Sequence, residues 1–350
     1  MGGVVRRRYP RALMRLGLAL TLAVVALASV ASVASASSYT APRGKVLWGG
    51  QGGYSAPDIR NFAMQSGKHP ALYNYFISWS ASEPAMHWLS FRFADAKAEH
   101  SAVMLSVSPE ETRLTPRDIA RGEGDAFLIG LNRLIAEAGT VTYLRPLSEM
   151  NNGNNPYSPY DLMGRPRGRA YTVRQFIRAW RRIALIVRGG PYAAINRRLR
   201  RLGMPPVRTA KDLPYAAVAL MWVPLSFGNP EIPKNHPRFF WPGSRYVDWV
   251  GTTWYSKYRA SSAMDRFYRY RLWRSKPFAF AEWGIWGADR PDFVRQFFRF
   301  LRFHRRVRMA VYYQSAMLKP EFRLSTHPLA RAALRHALRW RRMTGVAPVL

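Results

Sequence analysis

Thr140-Val-Thr-Tyr-Leu-Arg-Pro-Leu-Ser-Glu-Met-Asn-Asn152 and Lys276-Pro-Phe-Ala-Phe-Ala-Glu-Trp-Gly284 are built alike. Each is a run of apolar, β-branched or aromatic residues that places one glutamate, Glu149 or Glu282, where the run ends. Short apolar runs without alternation suit strands covered on both faces, as in a parallel sheet. Working outward, strand-like runs fall at Lys45 to Trp48, Ala71 to Ser78, Ala102 to Val107, Thr140 to Leu147, Ala216 to Val223, Tyr246 to Thr253, Pro277 to Ala281 and Met309 to Tyr313.

Segments of helical periodicity lie between most of these runs: Ala56 to Ser66, Ala85 to Ala98, Thr115 to Ala138, Thr172 to Arg188, Ala260 to Arg274, Pro291 to Phe303 and Pro328 to Arg342. Capping residues ahead of proline at Thr115-Pro116 and Asp289-Arg290-Pro291, and the stop at Gly189-Gly190-Pro191, mark helix ends. Alternating strands and helices predict an α/β fold, and eight repeats predict closure into a (β/α)8 TIM barrel. The expected layout is a signal peptide over 1–36, a short segment over 37–43, one barrel domain over 44–342 and a tail over 343–350. Residues Asn152 to Arg169 and Phe227 to Pro242, rich in Pro, Gly and Asn, read as long loops after the fourth and fifth strands. That end of a barrel is where loops build a cleft.

The leader is read from Arg6, Arg7, Arg8, Arg11 and Arg15, the small or apolar stretch Leu16 to Val33, and Ala34-Ser35-Ala36 as a cleavage site. It predicts export, with an uncleaved anchor as the alternative because the apolar stretch approaches spanning length. Once the leader is removed, no integral membrane segment is expected. Zero cysteines rule out disulfides, thiolate metal sites and a cysteine nucleophile, and the seven histidines show no short metal-ligand spacing, so neither metal nor cofactor is expected.

The formal charge of +34, five of whose arginines are in the leader, raises the question of nucleic acid. Export, a general excess of arginine over lysine and the lack of a nucleic-acid motif argue against it. Adhesion to an anionic cell wall or acidic polysaccharide is a second consequence of the charge.

Two carboxylates at strand ends are the minimum equipment for breaking a glycosidic bond. Trp222, Trp254, Trp283, Trp286 and Tyr313 offer flat rings for sugar faces or for the core. Asn151 and Asn152, beside Glu149, are candidates for sugar hydroxyls. Asp58, Glu83, Glu110 and Glu111 follow the first three strands but suit helix N-termini equally well. Arg145 shares a face with Glu149 only if the chain turns at the strand end; it can instead hold Glu282 ionised.

Arg145-Pro146-Leu147-Ser148-Glu149-Met150-Asn151 with Gly153 resembles the fourth-strand signature of glycoside hydrolase family 26, the β-mannanase family of the retaining clan A barrels. Leu220-Met221-Trp222-Val223-Pro224, then Tyr246-Val247-Asp248-Trp249-Val250-Gly251 with Tyr255, and then Lys276 to Gly284 resemble its fifth, sixth and seventh strands in order. The resemblance spans residues 44 to 342 and implies Glu149 as acid/base, Glu282 as nucleophile, Tyr255 as the nucleophile's hydrogen-bond partner and Arg145 as support. It implies a secreted retaining endo-β-glycanase acting on a polysaccharide, β-1,4-mannan first. Retention requires carboxyl groups about 5 to 5.5 Å apart. The family's histidine before the acid/base is Ser148 here, and Ser106-Val107-Ser108-Pro109 ends the third strand without one, which leaves the sugar open. The alternative is a non-catalytic envelope protein that holds polysaccharide on a degenerate barrel.

Overall fold

The computed structural model describes residues 1–2 and 39–350 apart from 210, 259–261, 316 and 318. The chain divides after Thr40, and every element belongs to the second unit, Ala41–Leu350. Beyond its first two residues, the expected signal peptide lies outside the described residues. No helix among the described residues is long and apolar enough to cross a membrane.

Among the described residues, eight parallel strands form the barrel: β1 Val46–Gln51, β2 Leu72–Ser78, β3 Ala102–Ser108, β4 Thr142–Pro146, β5 Val218–Trp222, β6 Trp249–Tyr255, β7 Phe278–Gly284 and β8 Val307–Tyr313. They pair in sequence order, and β8 and β2 both pair with β1, which closes the barrel expected from the alternation. A two-residue strand, β9 Met343–Thr344, pairs with the start of β1 at Val46 and Leu47, beside the stretch of β1 that meets β2.

The helices are α1 Ala56–Ser66, α2 Glu83–Ala98, α3 Pro116–Arg121, α4 Asp125–Ala138, α5 Val173–Arg188, α6 Tyr192–Arg201, α7 Ser262–Arg269, α8 Pro291–Phe303 and α9 Pro328–Ala337. The helix expected over Thr115 to Ala138 is two. Gly122, at φ 99°, ends α3 in a left-handed conformation that a side chain resists, and α4 starts after Gly124. α6 follows the Gly189-Gly190-Pro191 stop and was not among the expected helices.

Most strand residues are fully buried, because rings fill the space between barrel and helices. Trp48 stacks on Phe62 of α1, Trp222 packs with Trp241, Phe267 and Trp273, and Trp254 lies among Phe280, Phe293, Phe297 and Phe300.

β7 departs from simple alternation. Gly251 pairs with Ala279 and Thr252 with Phe280, but Thr253 then pairs with Glu282, so Ala281 is one extra residue. The β7–β8 register carries a shift over the same stretch. This bulge lets Phe280 and Trp283 both face the helices, where each packs on Phe297, the latter at 3.6 Å between ring centroids. Strict period two would have sent Glu282 outward with Phe280. The strand was expected to end at Ala281; it continues to Gly284, and Glu282 lies within it.

Because Phe297 braces both sides of the bulge, Phe297→Ala is expected to cost about 3–5 kcal/mol. Urea unfolding would show this as a lower midpoint at unchanged slope.

Candidate active site

The site is assembled at the C-terminal ends of the strands, from the barrel interior upward. On β4, Leu144 belongs to the core packed outside the barrel and Tyr143 meets Trp249 edge-on, which leaves Arg145 facing inward. Arg145 is fully buried, and its guanidinium bonds the Oε1 of Glu282 and, at 3.4 Å, the Ser106 hydroxyl. Ser106 Oγ in turn donates to Asn74 Oδ1 at 2.9 Å, so β2 and β3 brace the arginine. Tyr255, at the end of β6, donates its hydroxyl to the other Glu282 oxygen at 2.5 Å. Burial first, and then the charge of Glu282, pushes the Tyr255 phenol well above its ordinary pKa, so it stays a donor. Burial opposes the charge on Arg145, but Glu282 and Glu149 outweigh it and hold the guanidinium protonated.

Glu149 is placed by a turn instead of a strand. Leu147 at φ 47° and Glu149 at φ 51° are both left-handed, a conformation that costs a non-glycine residue of order 1–3 kcal/mol. Neighbours hold the turn. Leu147 N–H donates to Val107 O at 3.0 Å and Glu149 N–H to Val223 O at 2.7 Å. The Tyr157 hydroxyl donates to Ser148 O at 2.6 Å, and the Asn155 amide to both Ser148 O and Glu149 O. The chain turn that Arg145 and Glu149 needed in order to share a face is this one.

The carboxyl of Glu149 accepts from Asn152 Nδ2 at 2.9 Å, and Thr253 lines the cavity with it. Asn152 is oriented by Asn229, whose amide donates to its Oδ1 at 3.0 Å. Burial, and then the charge of Glu282, raises the Glu149 pKa; Arg145, Asn152 and Thr253 oppose this without cancelling it. Glu149 thus tends to keep its proton, while Glu282 has two donors suited to a carboxylate. Such a divided pair can run acid and nucleophile chemistry side by side.

Glu149 and Glu282 line one cavity of about 480 Å³ with Asn152, Phe76, Phe227, Tyr258, Trp286, Tyr313 and Phe322 among its walls. Of the aromatic residues expected to face sugar, Trp286 and Tyr313 do line it. Trp222 and Trp283 do not; both are fully buried between barrel and helices, where an indole on an outward strand position must go. Trp254 adjoins the cavity, yet its ring lies in the shell around α8. Asn151 is also buried. Its side chain clamps the loop after β5, accepting from Leu225 N–H and donating to Leu225 O and Phe227 O.

Asp58 caps α1, Glu83 sits in the first turn of α2, and Glu110 and Glu111 are exposed; none lines the cavity. Among the described residues, no three His, Asp or Glu side chains converge to hold a metal.

Sequence reasoning missed Thr253, Asn229, Asn155 and Tyr157. The last three lie on the two loops marked in advance as cleft-forming, but nothing in a loop sequence shows which asparagine turns inward. Ser148, standing where a histidine was expected, does not line the cavity; its carbonyl anchors the turn instead.

No protein-family model matches this sequence, and no curated protein matches it either. Solved structures do match. GH26A from a Muricauda species aligns with TM-score 0.57 at 15% identity, over 90% of this chain and 95% of that one. The GH26 β-mannanase of Bacteroides ovatus gives 0.56 at 13%, over 87% and 91%. The modular endo-β-1,4-mannanase of Cellulomonas fimi gives 0.56 at 15%, over 88% and 76%. The barrel has the fold of these glycoside hydrolase family 26 structures, in agreement with the motif resemblance.

The raised pKa of Glu149 has a stability consequence. A carboxyl that binds its proton more tightly in the folded state contributes most below its unfolded pKa, about 4.3, and loses that contribution as pH rises through the folded value. Glu149→Gln is therefore expected to raise Tm by a few degrees at pH 7, and the gain should vanish near pH 4. Arg145→Met should do the reverse at neutral pH, costing about 3–5 kcal/mol by stranding the Glu282 charge.

Proposed function

We propose that the protein is a retaining endo-β-glycanase, with β-1,4-mannan as its leading substrate. The observation that carries this is the shared cavity, in which Glu149 favours its protonated form while Arg145 and Tyr255 donate to both oxygens of Glu282. Glu282 attacks the anomeric carbon as Glu149 gives its proton to the departing oxygen, and the sugar is left as an ester on Glu282. Water then enters, Glu149 removes its proton as the water oxygen bonds the anomeric carbon, the bond to Glu282 breaks, and the sugar is released with the original configuration.

Arg145 and Tyr255 aim the nucleophile by donating to both of its oxygens. They also make it a better leaving group in the second step, since charge returns to the same oxygens they hold. The mannan assignment follows the named activity of the Bacteroides ovatus and Cellulomonas fimi structures, whose fold this barrel shares. Endo action is supported by a second cavity of about 180 Å³, lined by Tyr54, Trp88 and Arg92, which shares Phe76 with the first and offers room for a further sugar. Export belongs to the same proposal, resting on the basic and apolar leader, and predicts secreted protein beginning at Ser37.

Reducing-sugar release from mannan, β-glucan and xylan tests the activity. The first product should keep the β-configuration by NMR, and Glu282→Gln should lower kcat by several orders of magnitude. Undiminished turnover by that variant, or an α-configured first product, would remove Glu282 from the nucleophile's role. The pH profile tests Glu149 separately. Its alkaline limb should lie above the ordinary glutamic acid range, and Asn152→Ala should move it up by about one pH unit, because a donor to the ionised form has been lost.

A further inference from the structure

The opposite end of the barrel carries a groove of different chemistry. Its walls come from the end of α5, the Gly189-Gly190-Pro191 crossing, α6 and the segments that enter β5 and β6, all at the N-terminal ends of the strands. The volume is about 780 Å³. Leu185, Ile195 and Leu202 contribute apolar surface, and Arg188, Arg198, Arg201 and Arg245 line it with no acidic residue. Arg188 is committed to Asp248, at 2.8 and 2.9 Å, and to the carbonyl of Arg245. Arg198, Arg201 and Arg245 are exposed and form no ion pair among the described residues. Tyr215, 79% exposed, stands over Gly190, where even a methyl group would come within 3.1 Å of its ring.

We infer that this groove binds an acidic polysaccharide, with Arg198, Arg201 and Arg245 taking its carboxylates and Tyr215 stacking on a pyranose face. Guanidinium forks match carboxylates in geometry and stay charged at any relevant pH. An exposed ring beside them gives the sugar's apolar face a partner, which a merely basic surface would lack. Concavity disfavours a nucleic-acid duplex, which is read by an element that protrudes into its groove. Because the glutamates lie at the other end of the barrel, the two sites are independent. A chain held by an acidic glycan at one end keeps its cleft open to neutral polymer at the other.

The experiment is titration of the full chain with polygalacturonate, with mannan and with single-stranded oligothymidylate, at low and high salt. Polygalacturonate should bind with salt-sensitive affinity, and the triple variant Arg198→Gln/Arg201→Gln/Arg245→Gln should lose at least about tenfold, as expected for three charge-assisted contacts. Tyr215→Ala should weaken binding further, while activity in the cleft stays at its original level and shows the fold intact. A second triple variant, Arg295→Gln/Arg299→Gln/Arg339→Gln, removes the same charge from exposed positions elsewhere. An equal loss there would reduce the effect to net charge and overturn the proposal. So would unchanged polygalacturonate binding by the groove variant, or tighter binding of oligothymidylate than of polygalacturonate.

Discussion

The constraint on which the rest depends is the burial of Glu282. A carboxylate inside a barrel is tolerated only when paired and hydrogen-bonded, and here Arg145 and Tyr255 supply both of its oxygens with donors. Arg145 is itself buried and must be braced, which Ser106 and Asn74 do from the neighbouring strands. For Glu282 to reach the pair it has to face inward while Phe280 and Trp283 face out, and the extra residue Ala281 reconciles those demands. The aromatic shell around Phe297 is thus coupled to the site through one bulge.

Glu149 completes the balance of charge. Glu282 takes donors on both oxygens, and burial together with the charge of that neighbouring carboxyl favours the proton on Glu149. The left-handed turn that carries it is strained but held by five separate hydrogen bonds from Asn155, Tyr157 and the backbone. Strain concentrated beside a titrating group, and supported from outside, is the usual signature of a functional position. The strongly basic remainder of the protein leaves the cleft carboxylates alone: its free arginines gather elsewhere, among them the groove at the far end of the barrel.

The barrel was legible because its strands are covered on both faces and read as apolar runs, and because the helices carry caps and prolines at their first turns. Both glutamates, Tyr255 and Arg145 were legible through the ordered motifs. The bulge was not, since Ala281 looks like any small strand residue, and without it period two sends Glu282 to the wrong side. The same blindness to facing put Trp222 and Trp283 in the cleft on paper, when each occupies an outward position among the helices. Asn151 failed for a related reason: a polar residue beside a glutamate serves a neighbouring loop's backbone as readily as a ligand.

The central claim is that Glu282 becomes covalently bonded to sugar while Glu149 manages the proton. Intact-mass measurement after incubation with a 2-deoxy-2-fluoro-β-glycoside bearing an activated leaving group tests it most directly, since the fluorine slows release of the intermediate. The account predicts one sugar adduct per chain, mapped by peptide sequencing to Glu282 and absent from Glu282→Gln. An adduct on another residue, or turnover of unmodified β-glycan with inversion and no adduct at all, would contradict it.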